Sequence, residues 1–109
     1  MKTKAAVLHG MTTDRPFGLS NPLRIEEVSL DAPGFREVMV KVKAAGLCHS
    51  DLSVIDGNRP RPLPMVLGHE AAGEVVELGE GVKNLQVGDH VVFAFLPSCG
   101  HCPNCQTGR

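Results

Sequence analysis

The chain has 109 residues, 42% of them hydrophobic, and a formal net charge of −1. That length suits one domain with a modest core, and that hydrophobic share excludes wholesale disorder. The charge balance gives no support to a nucleic-acid partner or an anionic membrane surface, both of which need a basic patch.

The N-terminal apolar run is too short for a signal peptide, and no later run approaches the roughly 20 residues of a membrane helix. Residues 4–8 read as a strand ending in a His9-Gly10 turn, and residues 11–22 as a surface loop rich in turn formers. Residues 23–30 are a second strand candidate, followed by Asp31-Ala32-Pro33-Gly34, which is turn chemistry. Residues 37–45 alternate cleanly, with Val38, Val40, Val42 and Ala44 on one side and Met39, Lys41 and Lys43 on the other. That is the period-2 pattern of a half-buried strand.

Gly46 breaks this strand and delivers Cys48. Ser50 and Asp51 are N-cap types, so residues 51–55 predict a short helix before Asp56-Gly57. Alternating prolines at 60, 62 and 64 forbid helix and interior strand, leaving an extended loop. Residues 71–78 read as a strand, 82–87 as a continuation after the Gly79-Glu80-Gly81 turn, and 90–95 as another strand. The final stretch is a cysteine loop. Glycine and proline are plentiful (12 and 8) while Trp and Tyr are absent. Five or six short strands with regular turns predict a mainly β fold, a small antiparallel barrel or sandwich.

Three of the four cysteines fall in Cys99-Gly-His-Cys102-Pro-Asn-Cys105. C-x-x-C-x-x-C places three sulfurs around a tight loop that can wrap a tetrahedral cation, and clustering argues for a reduced, metal-binding use over a disulfide framework. A closed site takes four ligands. His101 is a poor fourth because it adjoins Cys102, so the fourth ligand is expected beyond Arg109, and the chain reads as cut there. Cys48 and His69 offer a thiolate and an imidazole, a pair suited to Zn²⁺. Each also has a plainer reading, as a small buried hydrophobe and a satisfied polar residue. Glu70 is an occasional ligand, a supporting neighbour or a solvated carboxylate; Asp51 holds a ligand's ring N–H or caps a helix.

G-H-E-A-A-G-E-V-V-E-L-G-E-G-V, residues 68–82, resembles the zinc signature of the medium-chain zinc-dependent alcohol dehydrogenases. G-L-C-H-S-D ahead of it, V-G-D-H-V at 87–91 and the cysteine loop are similar to that family's segments in order and spacing. The resemblance covers essentially the whole chain. It implies that residues 1–109 are the N-terminal part of a GroES-like catalytic domain, a distorted β-barrel truncated before its end. A Rossmann domain binding NAD or NADP would lie in a longer protein.

Carried over residue by residue, the resemblance makes Cys48 and His69 catalytic-zinc ligands with Glu70 their close neighbour, and Cys99, Cys102 and Cys105 structural-zinc ligands. In that family the catalytic zinc takes a Cys₂His set. Ser50 would take the alcohol proton and His49 would face the cofactor pyrophosphate. Many members place a histidine where this chain has Ser53, so the outer end of a proton relay differs here. The implied partners are a small alcohol or aldehyde and further copies of the full-length protein, in the cytoplasm.

No G-x-G-x-x-G occurs in these residues, so the dinucleotide site is expected elsewhere and this stretch alone is expected to turn over nothing. It is also expected to expose apolar surface and to hold metal weakly at the Cys48–His69 pair. Two other readings compete: a free-standing zinc-binding barrel acting as an interaction module, and a polyol dehydrogenase or reductase on the same scaffold.

Overall fold

A computed structural model describes residues 1–108; the end of the expected domain at Arg109 lies outside the described residues. Strand β1 (Lys2–Leu8) leads through a loop to α1 (Phe17–Ser20), a single helical turn closed by Asn21 in the left-handed region at φ 45°. This turn interrupts what the sequence predicts as plain loop. Strand β2 (Leu23–Ser29) then pairs antiparallel with β1 from Lys2 against Ser29 to Leu8 against Leu23.

Strand β3 (Val38–Ala45) follows, then α2 (His49–Ile55), then the two-residue β4 (Met65–Val66), which pairs with the end of β1. Strand β5 (Ala71–Leu78) pairs with β3 along its length, and β6 (His90–Val92) lies on its other side. The last element is α3 (Pro103–Gln106). Two three-stranded antiparallel sheets result, ordered β2-β1-β4 and β3-β5-β6. The fold is mainly β, as the sequence implies, and the two sheets do not close into one hydrogen-bonded barrel among the described residues.

Three expectations of detail are corrected. Residues 82–87 form no strand: Gln86 N–H is taken by the Asp89 carboxylate (2.9 Å) and Asp89 N–H by Gln86 C=O (3.1 Å), so turns claim the backbone groups a ladder would need. Strand β6 stops at Val92 rather than running to residue 95. Helix α2 begins at His49, one turn-corner earlier than Ser50 or Asp51 as N-cap would allow, because Cys48 is the extended residue before it (φ −108°, ψ 146°).

The core sits where β1 meets α2. Leu8 is fully buried, and Val54 and Ile55 of α2 pack on it, flanked by Phe17, Leu23, Leu63, Met65 and Leu67. Burying each of these large aliphatic side chains is worth about 1.5–3 kcal/mol. That contact holds the C-terminal turn of α2 against the first sheet and so aims its N-terminal end, bearing residues 48–51, toward the second. Strand β3 keeps its expected position but not the expected alternation of one buried and one exposed face: the ladder shifts register between Met39 and Val40 and between Val42 and Ala44, and Val42 is 52% exposed.

Candidate metal centres

Antiparallel pairing solves the problem of joining two ligands distant in sequence. Ala45 at the end of β3 pairs with Ala71 at the start of β5, and beyond them Gly46 N–H donates to Glu70 C=O at 2.8 Å. The segment carrying Cys48 and the segment carrying His69 therefore leave the same end of one ladder. A Cβ at Gly46 would stand 2.7 Å from Glu70 Oε2, so a side chain there would push the Glu70 carboxylate aside. The result is a cluster: the donor atoms of Cys48, His69 and Glu70 all lie within 4.8 Å of one another.

Ser50 sits in the middle of this group. Its hydroxyl donates to Cys48 Sγ at 3.3 Å and lies 3.5 Å from His69 Nε2. Asp51 braces both candidate ligands, with Oδ2 3.5 Å from Cys48 N and Oδ1 3.5 Å from His69 Nδ1. Hydrogen bonds from Ser50, and then from His69, hold the Cys48 thiol below its ordinary pKa. The same contact with Cys48, followed by the charges of Asp51, raises that of His69. A thiolate, an imidazole and a carboxylate converging in this way match the donor set a borderline cation such as Zn²⁺ takes.

His49 opens α2 but is exposed, its carbonyl accepting from Ser53 Oγ at 3.3 Å. It is not part of the Cys48 cluster. Phe95, which periodicity placed in a strand, instead presents its ring edge-on to His69 with centroids 6.1 Å apart. No signal in the sequence marks it, because the loop that carries it is positioned by the Phe93 N–H to Ala71 C=O bond (2.9 Å) beyond the end of β6.

The second cluster is built locally. Cys99 Sγ accepts from the N–H groups of His101 (3.4 Å) and Cys102 (3.2 Å), and Cys102 Sγ, at the N-cap of α3, accepts from Cys105 N–H (3.4 Å). The three sulfurs lie within 4.8 Å of one another, Cys99 and Cys105 at 3.8 Å. Backbone N–H groups aimed at Cys99 from His101 and then from Cys102 lower its pKa to about 7. Three sulfurs with N–H support form a donor set fit for a thiophilic cation. The His101 ring turns away from them to contact Arg36.

Comparison with known proteins places these clusters in context. Residues 34–109 match the family described as the alcohol dehydrogenase GroES-like domain. An NDMA-dependent alcohol dehydrogenase of Amycolatopsis methanolica is 50% identical over 109 residues, covering 100% of this chain and 27% of that protein. An S-(hydroxymethyl)glutathione dehydrogenase of Synechocystis is 43% identical over 110 residues, covering 100% of this chain and 28% of that protein. Among solved structures, the alcohol dehydrogenase zinc-binding domain protein from Burkholderia ambifaria superposes with a TM-score of 0.84 at 44% identity, over 99% of this chain and 27% of that one. The benzyl alcohol dehydrogenase from Acinetobacter calcoaceticus gives 0.83 at 40% identity, over 98% and 27%. The chain thus spans about a quarter of the length of the relatives it matches. With a family match over most of its residues and a shared fold over nearly all of them, the chain belongs to the alcohol dehydrogenase GroES-like domain family.

Proposed function

We propose that this chain is the N-terminal part of the catalytic domain of a zinc-dependent alcohol dehydrogenase that uses NAD or NADP. The observation that carries the reading is the meeting of Cys48, His69 and Glu70 donor atoms, with the Ser50 hydroxyl against the first two. Cys48 and His69 would hold a catalytic zinc, with Glu70 as neighbour or occasional ligand, and Cys99, Cys102 and Cys105 a structural one. The remaining ligands and the dinucleotide site would belong to further residues of a longer, cytoplasmic, homo-oligomeric protein.

Zinc, when bound, supplies Lewis acidity that lowers the pKa of an alcohol. Ser50 is then the proton carrier: its hydroxyl both donates and accepts, and it sits between Cys48 and His69 at the mouth of α2. Asp51 Oδ1, 3.5 Å from His69 Nδ1, places a negative charge that favours the Nδ1–H tautomer and leaves Nε2 free as a donor atom. Phe95 offers an apolar wall beside His69 that suits the carbon skeleton of an alcohol. His49, at the exposed start of α2, would meet a cofactor pyrophosphate. Residues 1–109 alone would turn over nothing.

The test is zinc content and NAD- or NADP-dependent oxidation of a panel of primary alcohols by the full-length protein and its Cys48→Ser and Ser50→Ala variants. Activity that Cys48→Ser abolishes together with part of the bound zinc supports the reading. Full activity in Cys48→Ser overturns it.

A further inference from the structure

A cavity of about 1000 Å³ lies between the turn before β3 and the cysteine loop, lined by Phe35, Arg36, Lys83, Leu85, Cys99 and His101 among others. Among the described residues, Arg36 is one of two non-glycine residues with positive φ, at 62°. A side-chain-bearing residue held there costs about 1–3 kcal/mol, so the surroundings must enforce it. They do so by backbone bonds: Arg36 N–H donates to Glu80 C=O (2.7 Å) and Gly79 N–H to Glu37 C=O (2.7 Å). Packing adds to this. The Phe35 ring lies where a Cβ on Gly81 would be, 2.6 Å away, and Gly34 C=O blocks one on Gly79 at 1.9 Å.

That enforced backbone sends the Arg36 side chain across the cavity to the Nε2 of His101. His101 lies between two of the three clustered cysteines, and its own N–H donates to Cys99 Sγ. Its ring accepts from the guanidinium, because arginine has donors only. One residue therefore has its side chain held by the β3 turn and its backbone N–H aimed at a sulfur. No other described contact joins the His101 side chain to the sheet.

We infer that Arg36 is a positioning residue for the Cys99–Cys102–Cys105 cluster: through His101 it sets the orientation of the N–H that supports the Cys99 sulfur, and so the cluster's affinity for a thiophilic cation. The inference rests on the metal-binding reading of that cluster. It explains why an arginine, rather than the glycine that φ 62° favours, occupies the turn.

The glycine itself supplies the experiment. Arg36→Gly relieves the backbone cost while deleting the guanidinium, so a purely structural role and a positioning role predict opposite signs. In the full-length protein stripped by a chelator, Zn²⁺ is titrated while each cysteine's alkylation by N-ethylmaleimide is read by mass spectrometry. Arg36→Gly should keep or raise the melting temperature yet raise the zinc concentration for half-protection of Cys99, Cys102 and Cys105 about tenfold, the low end of what losing a ligand's supporting partner costs. Protection of Cys48 should not change. His101→Ala should give the same shift, and the double variant no more.

Unchanged half-protection in Arg36→Gly overturns the inference alone. So do an equal shift at Cys48 and a double variant whose shifts multiply. Absence of zinc protection at the three cysteines in the parent protein overturns the metal-binding reading and this inference together.

Discussion

The carboxylate of Asp51 faces Nδ1 of His69 at 3.5 Å while its other oxygen lies 3.5 Å from the backbone nitrogen of Cys48. One side chain, in the first turn of α2, thus steadies both candidate ligands. Asp51→Asn retains the shape but loses the negative charge that favours the Nδ1–H tautomer. Zinc affinity at the Cys48–His69 site should fall about 10–100-fold, read by competition with a chromophoric chelator. An unchanged affinity would leave Asp51 as a helix-end residue only.

Acidity should discriminate among the cysteines. The Cys99 thiol, held at about 7 by the N–H groups of His101 and Cys102, is about half ionised near neutral pH. Alkylation of Cys99 by iodoacetamide in the chelator-treated protein should reach half its maximal rate near pH 7, against about 8.5 for an unperturbed peptide thiol. A lowered pKa favours the thiolate, so the rate falls as pH drops through 7, and metal uptake weakens over the same window as protons compete. A midpoint above pH 8 would contradict the contacts described for Cys99.

The contact between Leu8 and α2 should be the most costly to cut. Leu8→Ala opens a space between β1 and the pair Val54 and Ile55, and should destabilise by about 2–5 kcal/mol in urea unfolding. Because that contact aims residues 48–51, zinc affinity at the Cys48 site should also fall, while the Cys99 cluster, built from its own loop, should keep its affinity.

Two glycines offer a matched control. Gly79→Ala drives a Cβ to within 1.9 Å of Gly34 C=O, a backbone atom that cannot rotate away, and should cost about 1–3 kcal/mol or more. Gly10→Ala meets nothing within 4 Å and should be neutral to within about 0.5 kcal/mol. Urea midpoints of the two variants decide this.

Residues 1–109 produced alone should self-associate. The radius of gyration is 16.3 Å, against about 13 Å for a closed domain of this length. Leu47 is 94% exposed beside Cys48, and Val92, Phe95 and Leu96 are also open to solvent. An apolar surface of that kind is normally covered. Sedimentation velocity should show mass rising with concentration, and Phe95→Ser should reduce it; a concentration-independent monomer would contradict the expectation.

What was readable in the residues follows from physical range. β5 has the bounds its composition predicts, and the bounds of β3 differ from those its pattern predicts only by omitting Glu37, because a local pattern suffices to define a strand. β4 was invisible: two residues carry no period, and only pairing with Val7 and Leu8 makes them a strand. Residues 82–87 misled because Val82, Leu85 and Val87 suggest a strand while the Asp89 carboxylate takes the Gln86 N–H that a partner strand would need. The three clustered cysteines were legible from spacing, whereas residue type only singled out Cys48 and His69 and the family resemblance joined them. Phe95 and Arg36 were not legible, since their places depend on loops fixed by backbone bonds from residues distant in sequence.

The two register slips in β3 reach beyond its own burial. This strand borders its sheet, and a border strand with regular pleats is a template on which foreign chains can stack indefinitely. Two register shifts along its ladder, one where β5 carries the extra residue Val76 and one where β3 carries Lys43, spoil that template, and Lys41 and Lys43 are exposed on it. Growth along this rim is disfavoured, so association should stop at small, soluble oligomers rather than fibres.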